Sequence, residues 1–294
     1  MNIDDLNNFI EITQIGSITK ASKNTFISPQ GLSSALQKME KELEVKLLNR
    51  SPNGVIPNEY GKIVMEKSKD ILCLYKEMQN EISNLKRQNQ GLIRMVSAYG
   101  VIRLLTPDLI IKFSKEHPEI HLDYMEFPDQ YVDQMIEDEK ADIGLGIGPV
   151  DKEKFDEIFL FEEELMLLVR NEHHLAKQDR VSFEEVRDME FIIESNMFKM
   201  HSLFVNQCRR YDFEPNILFN TSGYSLCHKL CAQGKGSSIT LSSNCKDMIN
   251  DGLCAIPFKE RFTWRVYLIT KKNSIQNKNI DILKDYITKW VQRI

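Results

Sequence analysis

Side chains that can form hydrogen bonds with a nucleic acid recur at helical spacing in one short segment, and they are Gln30, Ser33, Ser34, Gln37 and Lys38. Glutamine and serine carry donors and acceptors that can meet base edges and phosphates, and the small residues Gly31 and Ser34 allow a backbone to come close. This chemistry suits the major groove of duplex DNA. The alternative is an ordinary solvated face, which any amphipathic helix has.

Two short helices are predicted to position this face. Ser17 is a natural N-cap for the first helix, and Ser28 followed by Pro29 begins the second. The first helix is marked by Ile18, Ala21, Ser22 and Phe26. The second has an apolar stripe of Leu32, Leu36, Met39 and Leu43. A turn at residues 25–27 joins them, so the pattern predicts a helix-turn-helix whose second helix faces outward.

A small wing is predicted after the second helix. Asn53-Gly54 precedes the apolar pair Val55-Ile56, and both turn residues tolerate the positive φ of a tight hairpin. Arg50 stands at the base of this hairpin, where it could reach a phosphate. Residues 1–58 are therefore predicted to form a winged helix-turn-helix domain.

The charge of this segment implies that one copy would bind DNA weakly. Residues 1–60 carry six Lys and Arg against seven Asp and Glu, whereas duplex affinity depends on neutralising phosphates. Two copies on a palindromic site would bind far more tightly, so a dimerisation segment is expected.

Such a segment follows at residues 59–90. Steps of four and three residues connect Val64, Ser68, Ile71, Tyr75, Met78, Ile82 and Leu85. This heptad pattern predicts a long linker helix that packs against a partner helix in a homodimer or homotetramer. Packing against its own chain is the alternative. The polar run from Gln88 to Gly91 is predicted to end the helix.

Short apolar runs and amphipathic stretches alternate after Gly91 and predict an α/β domain over residues 91–294 with a mostly parallel sheet. Predicted strands include Leu92 to Ser97, Ile120 to Phe127, Ile143 to Ile147, a run from Glu164, Phe191 to Ile193, Ile217 to Asn220, Ser238 to Leu241 and Arg265 to Thr270. Two similar lobes, about 91–161 with 267–294 and about 162–266, would face one another across a ligand cleft.

Composition excludes several classes of protein. At 294 residues and 42% hydrophobic content the chain can form packed cores. It has no apolar run of membrane-spanning length, and acidic residues follow Met1, so we expect a cytoplasmic protein with no membrane partner. Six scattered cysteines and six histidines lack metal-ligand spacing, so no metal or cofactor is expected. The glycines of 144–148 lack the spacing of a dinucleotide loop, which argues against an enzyme.

With these features together, the chain resembles the LysR-type transcriptional regulators over essentially its whole length. The N-terminal part of the resemblance is carried by Gly16-Ser17, Ala21, Ser28-Pro29-Gln30, Leu32, Ser33, Leu36, Lys38-Met39-Glu40, Leu43, Leu47, Arg50 and Gly61. The C-terminal part is carried by Leu104 to Pro107, Phe113, His117 to Ile120, Ala141 to Gly144 and Gln233 to Gly236. The resemblance implies promoter binding through the winged helix, altered when a small molecule enters an effector domain similar to periplasmic binding proteins.

Site residues follow from the helix face and the resemblance together. DNA contacts are expected from Ser28, Gln30, Gly31, Ser33, Ser34, Gln37, Lys38 and Arg50. Many family members have Arg or another long polar residue where this chain has Ser34, so readout there is expected to be weaker or water-mediated.

Candidate effector-binding residues are Ser97, Tyr99, Gly100, Asp129, Gly148, Ser195, Asn196, His201, Thr221 and Ser222. The resemblance implies hydroxyl residues where this chain has Tyr99-Gly100 and Asp129. Asp129 would disfavour a carboxylate ligand and could pair with a cationic one, because an unpaired buried charge is costly. The alternative for Asp129 is a water-exposed helix N-cap, and Thr221 and Ser222 could likewise simply cap a helix.

Two other functions remain open. Some members of the family sense peroxide through paired cysteines, and Cys208 lies in a plausible region, although Lys199 stands nine residues before it. Cys227 and Cys231 are one helical turn apart and could meet or pack as apolar residues. A third hypothesis is a small-molecule binding protein without DNA activity. The separate heptad segment argues against this hypothesis.

Overall fold

The computed structural model describes residues 1–51, 54–248, 252–274 and 276–293. Contacts divide the chain into two compact units, Met1–Lys86 and Arg87–Ile294. None of the helices in these described ranges is long and apolar enough to cross a bilayer.

The first unit contains a three-helix winged-helix fold followed by a long helix. Its elements are α1 (Ile3–Ile15), α2 (Ile18–Thr25), α3 (Pro29–Glu42), β1 (Leu48–Ser51), β2 (Gly54–Pro57) and α4 (Glu59–Asn89). Strands β1 and β2 pair antiparallel as the predicted wing. Its turn at residues 52 and 53 and the side chain of Arg50 lie outside the described part of the chain.

Helix α1 supplies much of the core on which α3 packs. Asn2 caps it, because the Asn2 side chain accepts a hydrogen bond from the Asp5 N–H while Asp5 accepts one from the Asn2 N–H. Its buried face meets Leu32, Leu36 and Met39 of α3 in one cluster. Leu43, predicted on the same buried stripe, is 37% exposed, because α3 ends at Glu42 and Leu43 is the residue after its last turn.

The second unit is the α/β domain. Its strands are β3 (Leu92–Ala98), β4 (His121–Phe127), β5 (Ile143–Ile147), β6 (Phe155–Arg170), β7 (Glu190–Glu194), β8 (Asn216–Thr221), β9 (Ser238–Leu241), β10 (Leu253–Pro257) and β11 (Thr263–Lys271). Its α-helices are α5 (Val101–Leu105), α6 (Asp108–Glu116), α7 (Asp129–Glu137), α8 (Lys199–Arg210), α9 (Tyr224–Ala232) and α10 (Lys278–Val291).

The sheets mix parallel and antiparallel pairs. Strand β3 pairs parallel with β4 and β5, and β7 pairs parallel with β8. The alternation of strands and helices in the sequence predicts such parallel pairs. Strands β11, β9 and β10 pair antiparallel with β6, so the expectation of a mostly parallel sheet is wrong. The reason is β6, a 16-residue strand that pairs with β11 along its first part and with β9 and β10 along its last part. One continuous strand therefore serves both lobes.

Candidate DNA interface and ligand cleft

The polar face of α3 is accessible in the first unit. Ser28 caps the helix, because its hydroxyl oxygen accepts a hydrogen bond from the Gly31 N–H at 3.1 Å. The predicted contact residues Ser28, Gln30, Ser34, Gln37 and Lys38 are exposed, while Gly31 and Ser33 are half-buried. The opposite side of α3 is buried in the core, so this helix presents one polar face outward.

Glu40 fixes the end of α3 to the start of the wing. Its buried carboxylate accepts hydrogen bonds from the Leu47 N–H at 2.9 Å and from the Lys46 ammonium at 2.8 Å. The Val55 N–H in turn donates to the Gly16 carbonyl at 2.9 Å. These contacts set the wing against the helices, which places both parts of the candidate interface in one rigid domain.

Helix α4 has two different faces. Its first turns pack on the winged-helix core through Val64, Met65 and Leu72, and Ser68 is buried. Val64 and Ser68 therefore pack within their own chain, which is the alternative that the sequence left open. The remaining predicted seam residues are exposed, namely Ile71, Tyr75, Met78, Ile82 and Leu85. Leu74 lies exposed beside them, so this part of α4 has an uncovered apolar stripe.

A cavity of about 490 Å³ opens in the second unit, bounded by α5 and α7 on one side and by α8 and α9 on the other. It lies where the sequence predicts the cleft. Of the predicted effector-binding residues, Tyr99, Gly100, Asp129 and Ser222 line it.

The other predicted cleft residues do not line this cavity. Ser97 is fully buried and its hydroxyl donates to the Ala98 carbonyl, while Thr221 is buried and donates to the Gly223 carbonyl. Gly148 lines a separate cavity beside Tyr267. Ser195, Asn196 and His201 are also absent from the lining. The sequence places these residues near strand ends, but whether each side chain reaches the cleft depends on tertiary packing.

The sequence predictions missed six side chains that dominate the cavity wall, namely Arg103, Glu126, Glu194, Phe198, Tyr224 and Trp264. Glu194 is the last residue of β7, and a polar residue at the carboxyl end of a parallel strand is a signal that could have identified it. The aromatic residues have no such local signal.

Two carboxyl groups in the cavity wall are almost completely buried, since Asp129 is 3% and Glu194 is 8% exposed. Burial raises the pKa of Asp129 to about 6, although the N–H and the charge of Lys199 act in the opposite direction. Burial, together with the negative charge of Asp129, raises the pKa of Glu194 to about 7. The water-exposed cap considered for Asp129 is therefore wrong.

Both carboxyl groups lie at the start of a helix from another part of the domain. Asp129 accepts a hydrogen bond from the N–H of Lys199, the first residue of α8, at 2.9 Å. Glu194 lies near the start of α9, where the N–H of Tyr224, the first residue of that helix, acts to lower the pKa of its carboxyl group. Neither helix has a side-chain cap from its own N-cap residue. Carboxyl groups of the protein itself thus lie at the positive ends of both helices.

The cysteines are all free thiols. Cys208, Cys227 and Cys231 are buried, and burial raises the pKa of Cys208 and of Cys231 to about 12. Cys231 donates to the Leu168 carbonyl, and Cys227 lies 3.1 Å from the Thr221 hydroxyl. A buried thiol that resists ionisation is a poor nucleophile toward peroxide.

Comparisons with known proteins match both units. Residues 3–62 match the family model described as a bacterial regulatory helix-turn-helix protein of the lysR family, and residues 86–292 match the LysR substrate binding domain. An uncharacterized HTH-type transcriptional regulator, YybE of Bacillus subtilis, is 25% identical over 81% of this chain and 82% of its own.

Solved structures of full-length regulators share the fold. HinK, a LysR family transcriptional regulator from Pseudomonas aeruginosa, has a TM-score of 0.61 with 19% identity, and the match covers the whole of both chains. A peroxide-bound mutant of OxyR from Corynebacterium glutamicum also has a TM-score of 0.61 with 19% identity, over 99% of this chain and 93% of that one. At this identity the likeness concerns the fold alone.

Proposed function

The chain belongs to the LysR family of transcriptional regulators, and from this premise we propose which of its surfaces bind DNA, effector and a second copy. As a member it is a DNA-binding regulator with an effector-binding domain, not an enzyme, and it works as an oligomer on promoter DNA. A binding protein without DNA activity is thereby excluded. We propose the boundaries 1–58, 59–90 and 91–294 for its winged helix, linker and effector domain, and the cytoplasm as its place of action.

The DNA surface in this proposal is the exposed face of α3. The observation that carries it is the division of α3 into a buried apolar side and an exposed side with Gln30, Ser34 and Lys38 at its surface. Glutamine can form a bidentate contact with adenine, and lysine can neutralise a phosphate. Arg50 is proposed as a second phosphate contact from the wing.

A gel-shift assay on the DNA upstream of the protein's own gene and on genome-selected fragments tests this assignment. The wild type should give a discrete complex that weakens at higher salt. Gln30→Ala should lower the affinity about tenfold, and Lys38→Ala should reduce the salt dependence by about one phosphate contact.

Gln292→Ala, which changes an exposed glutamine in the other unit, is the matched control and should bind like the wild type. Equal affinity of Gln30→Ala and the control would contradict the assignment of α3. Failure to recover any bound fragment, even at low salt, would contradict DNA binding itself.

We do not propose peroxide sensing for this chain. The raised pKa of Cys208 argues against a reactive thiolate at that position. Titration of accessible thiols before and after peroxide treatment should show no change, and loss of thiols at Cys208 would reverse this conclusion.

A further inference from the structure

The cavity in the effector domain has an unusual balance of charge. Among the residues that the structure describes, its wall contains three carboxyl groups, those of Glu126, Asp129 and Glu194, and one guanidinium, that of Arg103. Arg103 contacts groups of the lobe formed by about 162–266, because it donates to the Tyr224 hydroxyl at 3.2 Å and to the Asn244 side-chain oxygen. The cavity is therefore predominantly acidic.

The ammonium group of Lys199 is bonded to acceptors other than the carboxyl group of Asp129. The Lys199 ammonium donates to Asp133 and to the carbonyls of Ile147 and Pro149. An ammonium group has three N–H donors, so these three acceptors occupy all of its hydrogen-bonding positions. Asp129 accepts a hydrogen bond from the backbone N–H of Lys199 at 2.9 Å, and burial keeps its pKa raised despite that bond and the nearby charge of Lys199.

The same arrangement disfavours an anionic ligand. Helix N-termini attract anions, and α8 and α9 both begin at the cavity. Here Asp129 and Glu194 already occupy these two helix starts. A carboxylate ligand would have to displace them or lie beside buried carboxyl groups, which costs free energy unless a cation intervenes.

The uncharged part of the wall has an apolar and aromatic side and a few small polar groups. Tyr99 and Phe198 lie with their ring centroids 6.4 Å apart, and Met200, Leu241 and Trp264 also line the apolar side. The polar lining residues are Ser222, Ser225, Thr240 and Asn244. Aromatic faces stabilise a nearby cation and also cover an apolar skeleton. A volume of about 490 Å³ suits one small molecule.

We propose that the effector is a small amine whose protonated nitrogen lies between the carboxylates of Asp129 and Glu194 and whose apolar part lies against the aromatic wall. This inference rests on the proposed function, in which the cleft is the effector site. The ligand brings a positive charge into direct contact with the two buried carboxylates, whereas the Lys199 ammonium donates its hydrogen bonds to other acceptors. Binding should release protons at neutral pH, because the amine favours the ionised form of both carboxyl groups.

Calorimetry with three matched probes on the full-length protein tests the proposal. Phenethylamine, phenethyl alcohol and phenylacetate share one skeleton and differ in charge, and a second set on a cyclohexylmethyl skeleton covers a different shape. An amine should bind at least about tenfold more tightly than its alcohol and its carboxylate. The heat of amine binding should differ between phosphate and Tris buffers, because the buffer takes up the released protons and contributes its own heat of protonation.

Variants locate the binding to the two carboxylates. Glu194→Gln and Asp129→Asn should each weaken amine binding about tenfold or more, while Glu172→Gln, at an exposed position, should not. Equal or tighter binding of an alcohol or carboxylate, no binding of either amine, or unchanged affinity in both variants would overturn the proposal. DNA binding is measured on the same preparations, so an intact gel shift with no amine binding rejects this inference while the proposed function stands.

Discussion

The carboxylate of Asp129 binds the backbone N–H of Lys199 at 2.9 Å, so the first residue of α7 holds the first residue of α8 across the ligand cavity. The Lys199 side chain returns to the other lobe, where its ammonium donates to Asp133 and to the Ile147 carbonyl. Gln130 adds a bond from its side-chain N–H to the Asn196 carbonyl at 2.6 Å. Each lobe therefore donates hydrogen bonds to the other at one edge of the cleft. These bonds fix that edge, and the ligand must bind beside them.

Lys199→Met should destabilise the effector domain by about 1–3 kcal/mol, because it leaves the partly buried Asp133 carboxylate without its cation. Urea denaturation followed by circular dichroism measures the change. Adding Asp133→Leu to Lys199→Met should recover much of the loss, whereas Lys229→Met at an exposed site should have little effect. Strictly additive effects of the two substitutions would show that the pair is not coupled.

Glu194→Gln should stabilise the ligand-free protein at pH 8 by roughly 1–3 kcal/mol. The folded-state pKa of Glu194 is about 7 against an ordinary value of 4.5, so the folded protein binds more protons than the unfolded chain between these values. The wild type consequently loses stability as the pH rises from about 4.5 to 7, and the glutamine variant lacks this contribution.

Denaturation at pH 5 and pH 8 measures that difference. The gain from Glu194→Gln should be small at pH 5 and larger at pH 8, while Glu172→Gln should give the same stability as the wild type at both. An equal effect of Glu194→Gln at the two pH values would contradict the raised pKa.

Gly61→Ala should destabilise the winged-helix unit although alanine is the better helix former. A Cβ at this position would lie 2.1 Å from the Leu47 carbonyl oxygen, and a backbone atom cannot move away cheaply. We expect a loss of about 1–3 kcal/mol and weaker DNA binding. Thermal melting measures this loss of stability, and Lys62→Ala, at the exposed neighbouring position, is the control. A higher melting temperature for Gly61→Ala would refute the close packing of α4 on the wing.

Met78→Glu and Ile82→Glu should dissociate the oligomer, because both side chains are about half exposed on the apolar stripe of α4. Sedimentation equilibrium should show a lower mass for these variants at micromolar concentration. Gln79→Glu changes an exposed residue of the same helix and should sediment like the wild type. If all three variants retain the wild-type mass, the stripe is not the dimerisation surface.

The DNA-binding unit is the part that the sequence predicts best, because its signals are local. Ser28-Pro29 marks the start of α3, and the spacing of Leu32, Leu36 and Met39 identifies its buried side. Helix α1 has no counterpart among the predictions, although the Asn2 and Asp5 capping box is a local signal for its start.

The ligand cleft is less predictable, because its wall is assembled from residues distant in the sequence. Asp129 is predicted from its unusual residue type, and the end of a parallel strand is a signal for Glu194, whereas Trp264 reaches the cavity through the pairing of β11 with β6. Ser97 shows the converse case, since a hydroxyl near a strand end points into the protein and is fully buried. Residue position along a strand predicts the region of a site but not which side chains face it.

Hydroxyl-radical footprinting of the protein on its selected promoter fragment tests the central claim most directly. Two copies of α3 should protect two inverted half-sites whose centres are separated by a whole number of helical turns, about 10–10.5 base pairs each. Half-maximal protection of both half-sites should need about tenfold more protein with Gln30→Ala, and the wild-type amount with Gln292→Ala. Uniform protection without half-sites, or Gln30→Ala half-sites that are protected at the wild-type concentration, would contradict the account of α3 as the DNA-reading helix of an oligomeric regulator.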